Sequence, residues 1–343
     1  MLDIQKGIVE LQMGSGGRAN DMLIKEVFLS SFPKNPLPYS CNDQAVFGGF
    51  EHGKIAFTTD SHIVKPLFFK GGDIGTLAVN GTVNDLAVGG AKPLYLSASF
   101  IIAEGFPLSD LKRIAESMGK TAEKAGVFIV TGDTKVVDKS SCDGVFINTA
   151  GVGFVPNGVD LSATKISEGD VVLVSGNLGQ HETVIMAQRE GMGFDVDLSS
   201  DCAALNTLTA DIMAAGGESV KCMRDLTRGG LAAALNEIVG AAGCSILLEE
   251  DKIPVLPKVK AVCQALGLDA FNLANEGKLV AFVKENAKDD VLAAMRANPL
   301  GKDAEIIGRV ILPDWQPEVI VNTVGGGKRL LEWAYGDYLP RIC

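Results

Sequence analysis

The chain has 343 residues, 47% hydrophobic and 21% charged, enough to bury the cores of two ordinary α/β domains and too apolar for a long unfolded tract. Its 42 Asp and Glu outnumber 31 Lys and Arg, for a net charge of −11. No basic patch stands out against that charge, so no nucleic-acid partner is expected.

At the start of the chain, Asp3, Lys6 and Glu10 interrupt any apolar core an export signal would need. The most apolar stretch, 94–102, ends at Glu104 and is too short to cross a bilayer as a helix. Cys41, Cys142, Cys202, Cys222, Cys244, Cys263 and Cys343 form no CxxC pair, and an odd count without an export signal favours reduced thiols. A cytoplasmic protein with no membrane span is expected.

Gly14-Ser15-Gly16-Gly17 precedes a predicted helix, and Gly71-Gly72 precedes Asp73 and another helix start. Glycines let backbone N–H groups approach phosphate oxygens, although neither stretch matches a P-loop or a Rossmann fingerprint. Leu111, Ile114, Ala115, Met118, Ala122 and Ala125 recur at helical spacing, and Gly126 stops that helix before the strand-forming run 127–130. A strand follows over 145–155, then the turn Pro156-Asn157-Gly158 at a plausible domain boundary. Beyond it the pattern predicts strands over 171–175, 245–248 and 278–283. Helices are predicted over 181–190, closed by Gly191, over 228–242, closed by Gly243, and over 254–266 and 287–297. This alternation is the habit of an α/β (α+β) fold in two layered domains. Gly325-Gly326-Gly327 reads as a turn.

Four acidic clusters stand beside predicted strand ends or glycine turns: Asn42-Asp43, Thr58-Thr59-Asp60-Ser61, Val83-Asn84-Asp85 and Thr131-Gly132-Asp133-Thr134. Each alone is a common turn former or helix cap, whereas several Asp from separate loops suit Mg²⁺, which takes hard oxygen ligands. The chain closes on PRIC, so a thiol stands at its terminus.

Together these segments resemble the HypE family of carbamoyl dehydratases, within the PurM-like ATP-using superfamily. The resemblance runs from GSGGR at 14–18 to PRIC at 340–343. It includes FTTDSHIVKPLFF (57–69), GGDIGTLAVNGTVNDLAVGGAKP (71–93), TGDTKVV (131–137), FINTAGVG (146–153), RDLTRGG (224–230) and NEGKLV (275–280). The joint presence of TGDTK, NEGK and PRIC is what singles out this family.

The resemblance implies a two-domain PurM-like fold. An N-terminal ATP-binding sheet domain that dimerises (1–155) precedes a C-terminal α/β sandwich domain (156–330) and a mobile tail (331–343) with the reactive Cys343. It also implies that a HypF-type carbamoyltransferase loads a carbamoyl group on Cys343. ATP would then drive its dehydration to a thiocyanate, and the cyanide would pass to iron on a HypC–HypD complex. Lys135 and Glu276 take the proton-handling positions, the alternative being an ion pair at the domain interface. Asp43, Asp60, Asp85 and Asp133 carry over as Mg²⁺–ATP ligands, with Asp73, Asn84 and Asn148 beside them. Asp225 and Arg228 fall in a second-domain motif where they serve the nucleotide site or form a cap and its partner.

Two departures stand out: Met13 replaces a His expected before GSGG, and GQHET (179–183) replaces a GDHG-like turn, which leaves the role of His181 open. The alternatives are another PurM-like enzyme, such as a selenophosphate or aminoimidazole ribonucleotide synthetase, or an assembly protein that carries cyanide without catalysis. The former have no use for PRIC.

Overall fold

The structure is a computed structural model, and it describes residues 17–23, 45–50, 53–189 and 196–333. Met13, Cys41, Asp43, Gly191 and Cys343 therefore lie outside the described residues. The first half comprises α1 (Gly17–Leu23), β1 (Ala45–Phe50), β2 (Gly53–His62), β3 (Phe68–Phe69), β4 (Gly72–Asp73), α2 (Ile74–Val88), β5 (Lys92–Ala103), α3 (Leu108–Ala125), β6 (Phe128–Val137) and β7 (Val145–Pro156). The second comprises β8 (Val171–Val174), α4 (Gln180–Gln188), α5 (Asn206–Gly216), β9 (Val220–Asp225), α6 (Gly230–Ala242), β10 (Ser245–Glu249), α7 (Pro257–Leu266), β11 (Leu279–Val283), α8 (Lys288–Ala297), β12 (Glu305–Ile311), β13 (Val319–Asn322) and β14 (Lys328–Leu330).

In the first half, five strands lie in the order β1-β2-β7-β5-β6, with β6 on an open edge. Alternate residues of β7, from Val145 and Ile147 onward, turn into the core while their neighbours face outward, the period-two pattern of a sheet covered on one face. The covering element is α2. Its residues are buried nearly all round, as expected of a helix held between two layers rather than on a surface. One side of α2 lies on the sheet, and other contacts reach α3, α5 and β9, so the helix joins the two halves.

In the second half, seven strands run β14-β13-β10-β12-β8-β11-β9. β8 and β11 are buried along their whole length because helices cover both faces. Val172, Val174, Val280 and Phe282 face the α6 side, and Val171, Leu173, Leu279 and Ala281 face the side of α5 and α8. A further apolar cluster crosses the junction, joining Ile74, Val83 and Ile114 to Ile185, Met186, Val259 and Leu273.

Several boundaries differ from the sequence reading for local reasons. The acidic clusters at 58–61, 83–85 and 131–134 stand within β2, α2 and β6 rather than in loops. The β-branched residues around TGDTK carry the predicted 127–130 strand on to Val137. Helix α6 begins at Gly230 rather than at 228, because Gly229 and Gly230 both take positive φ and leave Arg228 in the preceding turn. Helix α7 begins at Pro257, where the missing N–H costs nothing. Among the described cysteines, Cys142, Cys222, Cys244 and Cys263 are buried free thiols and Cys202 is a half-buried one. Among the described residues no helix is long and apolar enough to cross a membrane.

Candidate active site

The junction between the halves collects the polar residues that the apolar layers leave over. Asp60 projects from the inner face of β2, where its Oδ2 lies 3.5 Å from Nε2 of the buried His62. Burial, more than any neighbour, holds the His62 imidazole below its ordinary pKa, although Asp60 pulls the other way. Asp85, on α2, accepts a 2.9 Å hydrogen bond from Thr58 Oγ1 of the same inner face.

Two loops of the second half close on this face. In the first, Asn80 Nδ2 donates to Cys202 Sγ at 3.3 Å and Asn84 Nδ2 donates to Ala203 O at 3.1 Å. Leu205 N–H donates in turn to Asn84 Oδ1 at 2.7 Å. Both ends of the Asn84 amide are thus engaged with the backbone of 203–205. In the second loop, 275–278, Glu276 N–H donates to Asp201 Oδ1 at 3.3 Å and Lys278 Nζ stands 3.5 Å from Asp201 Oδ2. The two loops touch so closely that a Cβ on Gly277 would run into Asp201 O, which restricts this position to glycine.

Glu276 is the electrostatic focus. Desolvation raises its carboxyl well above the ordinary range, and the charges of Asp60, Asp201 and Asp225 raise it further, while Arg228 opposes them. Asp225 ends β9 opposite Leu279 in the neighbouring strand, which brings it to the same loop. One constellation therefore unites Asp60 from the first half with Asp201, Asp225, Arg228 and Glu276 from the second.

The remaining residues of interest stand elsewhere. Asp73 caps α2, accepting from Thr76 N–H at 2.9 Å, and ties it to α3 through Ser117 Oγ at 2.5 Å. Asn148 pairs in register with Ser61 and Ser99, and Ser99 with Asp133, so this row shares the outer face of the sheet, opposite Asp60. There Asn148 Nδ2 donates to Ser61 Oγ and to Asp60 O, both at 2.9 Å. Lys135 is exposed beside Asp133, 3.0 Å from its Oδ2, and its hydrogen bond holds that carboxyl below the usual range. Within one chain Lys135 pairs along its own strand, and the charges that perturb Glu276 come from other residues.

His181 is fully buried in the first turn of α4, with Nδ1 2.8 Å from Ser200 Oγ and its ring edge-on to Phe69. Burial lowers its pKa to about 4, so it is neutral. Asp201, His62, Asn275 and Lys278 escaped individual notice in the sequence, because Asp201, Asn275 and Lys278 act through partners far along the chain and the burial of His62 is set by tertiary packing. For the last two the NEGK motif itself was a signal; for Asp201 there was none.

Residues 41–155 match the AIR synthase related protein N-terminal domain family, and residues 167–320 match its C-terminal domain family. The carbamoyl dehydratase HypE of Rhizobium leguminosarum bv. viciae is 51% identical over 342 residues, covering 100% of this chain and 97% of that protein. A solved HypE–HypF complex aligns with a TM-score of 0.85 at 46% identity, covering 91% of this chain and 99% of that one. A solved hydrogenase maturation protein HypE in complex with ATP aligns at 0.81 with 43% identity, covering 98% and 100%. By length, two-domain fold and sequence, the chain belongs to the HypE carbamoyl dehydratase family of AIR synthase related, PurM-like proteins.

Proposed function

We propose that this chain uses ATP to dehydrate a carbamoyl group on the thiol of Cys343 to a thiocyanate, supplying the cyanide ligand for the iron of a [NiFe]-hydrogenase during maturation. The observation that carries this reading is Glu276, a carboxyl raised in pKa among Asp60, Asp201 and Asp225, in a chain whose full-length relative is named a carbamoyl dehydratase.

Asp60, Asp201 and Asp225 crowd Glu276 with negative charge, which a hard divalent cation would relieve. Among the described residues no three His, Cys, Asp or Glu side chains are grouped to hold a metal by themselves. Mg²⁺ matches that arrangement, since it keeps water and phosphate oxygens in its shell. Asp60 and Asp85, with Asp43 from outside the described residues, would hold Mg²⁺ with ATP, Asp225 would line the nucleotide site, and Arg228 would face the phosphates. A relative solved with ATP supports the nucleotide.

The chemistry then balances. The carboxamide oxygen takes the γ-phosphoryl group, forming an O–P bond and releasing ADP. The C–O bond breaks with phosphate rather than hydroxide as the leaving group. Two protons leave the nitrogen as the carbon–nitrogen bond becomes triple, and each needs a base within hydrogen-bond reach. Glu276 takes one, since its raised pKa makes it a stronger base than an exposed carboxylate, and the other leaves on the departing phosphate.

Lys135 and Asp133 join this chemistry only through a second copy of the chain. The outer sheet face exposes Phe57, Tyr95 and Ile101, and the open edge strand exposes Phe128, Val130 and Val136, so a homodimer would cover them. A HypF-type carbamoyltransferase would load Cys343, in keeping with the solved HypE–HypF complex, and a HypC–HypD complex would receive the cyanide.

The test is Cys343→Ala. The variant is expected to fold and bind ATP yet to show no carboxamide adduct by mass spectrometry after incubation with the carbamoyltransferase and carbamoyl phosphate. An adduct persisting on another residue would refute the assignment.

A further inference from the structure

We propose that Glu182 is a positioning residue for Glu276: it fixes the Ala274 peptide, and with it the 275–278 loop, against the first turn of α4. The inference rests on the dehydratase reading.

Glu182 holds the Ala274 peptide from both sides. Its Oε2 accepts the Ala274 N–H at 2.6 Å, and its own N–H donates to Ala274 O at 3.3 Å. The adjacent residue is held by the same turn, since Gly179 N–H donates to Asn275 Oδ1 at 2.8 Å. Asn275 Nδ2 passes the restraint to Leu226 O at 2.9 Å and Leu273 O at 3.1 Å. On the far flank, Asp201 Oδ1 accepts the Glu276 N–H and Ala203 N–H donates to Glu276 O at 3.1 Å. Glu276 thus hangs between two backbone clamps, one built on α4 and one on the 201–203 loop.

The chemistry of the position argues that the carboxyl is there for this contact. Glu182 is 5% exposed and is followed by the buried Val184, Ile185 and Met186, surroundings in which an acidic side chain is costly unless it satisfies a buried donor. Ala274 N–H is that donor, and removing the acceptor would leave it unpaired in a buried loop. Burial raises the Glu182 carboxyl to about 7, so both protonation states occur near neutrality and each retains an oxygen that can accept. Glutamine therefore reproduces the contact, and methionine fills the volume while abolishing it.

The full-length chain, the Glu182→Gln variant and the Glu182→Met variant are compared in three ways. These are single-turnover conversion of a preformed Cys343 carboxamide, KM for ATP, and amide hydrogen exchange of the peptide spanning 271–279. The Gln variant is expected within twofold of the unmodified chain throughout. The Met variant is expected to exchange faster in that peptide and to form thiocyanate at least tenfold more slowly, with KM for ATP within twofold. Unaltered exchange in a folded Met variant would overturn the inference, as would a Gln variant as slow as the Met variant. Faster exchange with an unaltered rate would overturn it too. Should the unmodified chain itself form no thiocyanate, the dehydratase reading fails, and the exchange comparison still decides whether Glu182 holds the loop.

Discussion

Burial first, and then the charges of its neighbours, raise the Glu276 carboxyl. A carboxyl beside three other carboxylates and withdrawn from water is a stronger base than one on a surface. Glu276→Gln keeps the size and loses the base, so single-turnover thiocyanate formation is expected to fall by about 10²-fold or more while the Cys343 carboxamide accumulates. A rate within threefold of the parent, by quenched-flow mass analysis, would remove the assigned role. Asp60→Asn relieves the same crowding and removes a proposed cation ligand. Its Mg²⁺–ATP affinity, measured by calorimetry, is expected to drop about tenfold, and unchanged affinity would count against that ligand. Glu276, Asp60, Asp85 and Asp225 were readable because each stands in a distinctive motif. Asp201 was not, since its importance lies in two contacts, with Glu276 N–H and with Lys278, that exist only once the 275–278 loop has folded onto it.

Helix α4 carries opposite titrations on adjacent residues. His181, lowered to about 4 by burial, contributes stability that is complete above its ordinary 6.5 and is lost as pH falls toward 4. Glu182, raised to about 7, contributes stability that is complete below its ordinary 4.5 and is lost as pH rises through 7. The slopes offset one another between these limits. Glu182→Gln removes only the second, so the variant should gain on the parent by about 1.4 kcal/mol for each pH unit between 5 and 6.5. Urea denaturation at several pH values measures this gap, and a gap that stays constant with pH would contradict burial as its cause. At this scale the sequence was informative wherever period and punctuation agreed, as in α3 with its Gly126 stop. It misled over TGDTK, where Gly132 suggests a turn although it allows close approach to Ala98 O inside a strand.

In the whole molecule, the all-round burial of α2 gives the two halves a shared apolar cluster, and the inner face of the first sheet thereby becomes the wall of the site. The outer face has no such cover among the described residues. Ile101 is 44% exposed and Phe128 67%, so on the proposed homodimer the parent is expected to run as a dimer by light scattering and the variant with both replaced by Glu as a folded monomer. A dimeric variant would place the interface elsewhere, and a monomeric parent would remove the proposed homodimer. Two layered α/β domains were legible from alternation alone, but the division of the acidic motifs between the two sheet faces was not. That division depends on strand register, which local sequence specifies only through the parity of each residue.

The central claim is that the last residue of the chain is the substrate carrier for the site at the junction. Intact-mass analysis of the unmodified chain, incubated with the carbamoyltransferase, carbamoyl phosphate and ATP, tests it directly. The account predicts a carboxamide adduct on the peptide ending in Cys343, followed by a product lighter by one water. Hydrolysis of ATP while that peptide keeps its original mass would contradict it.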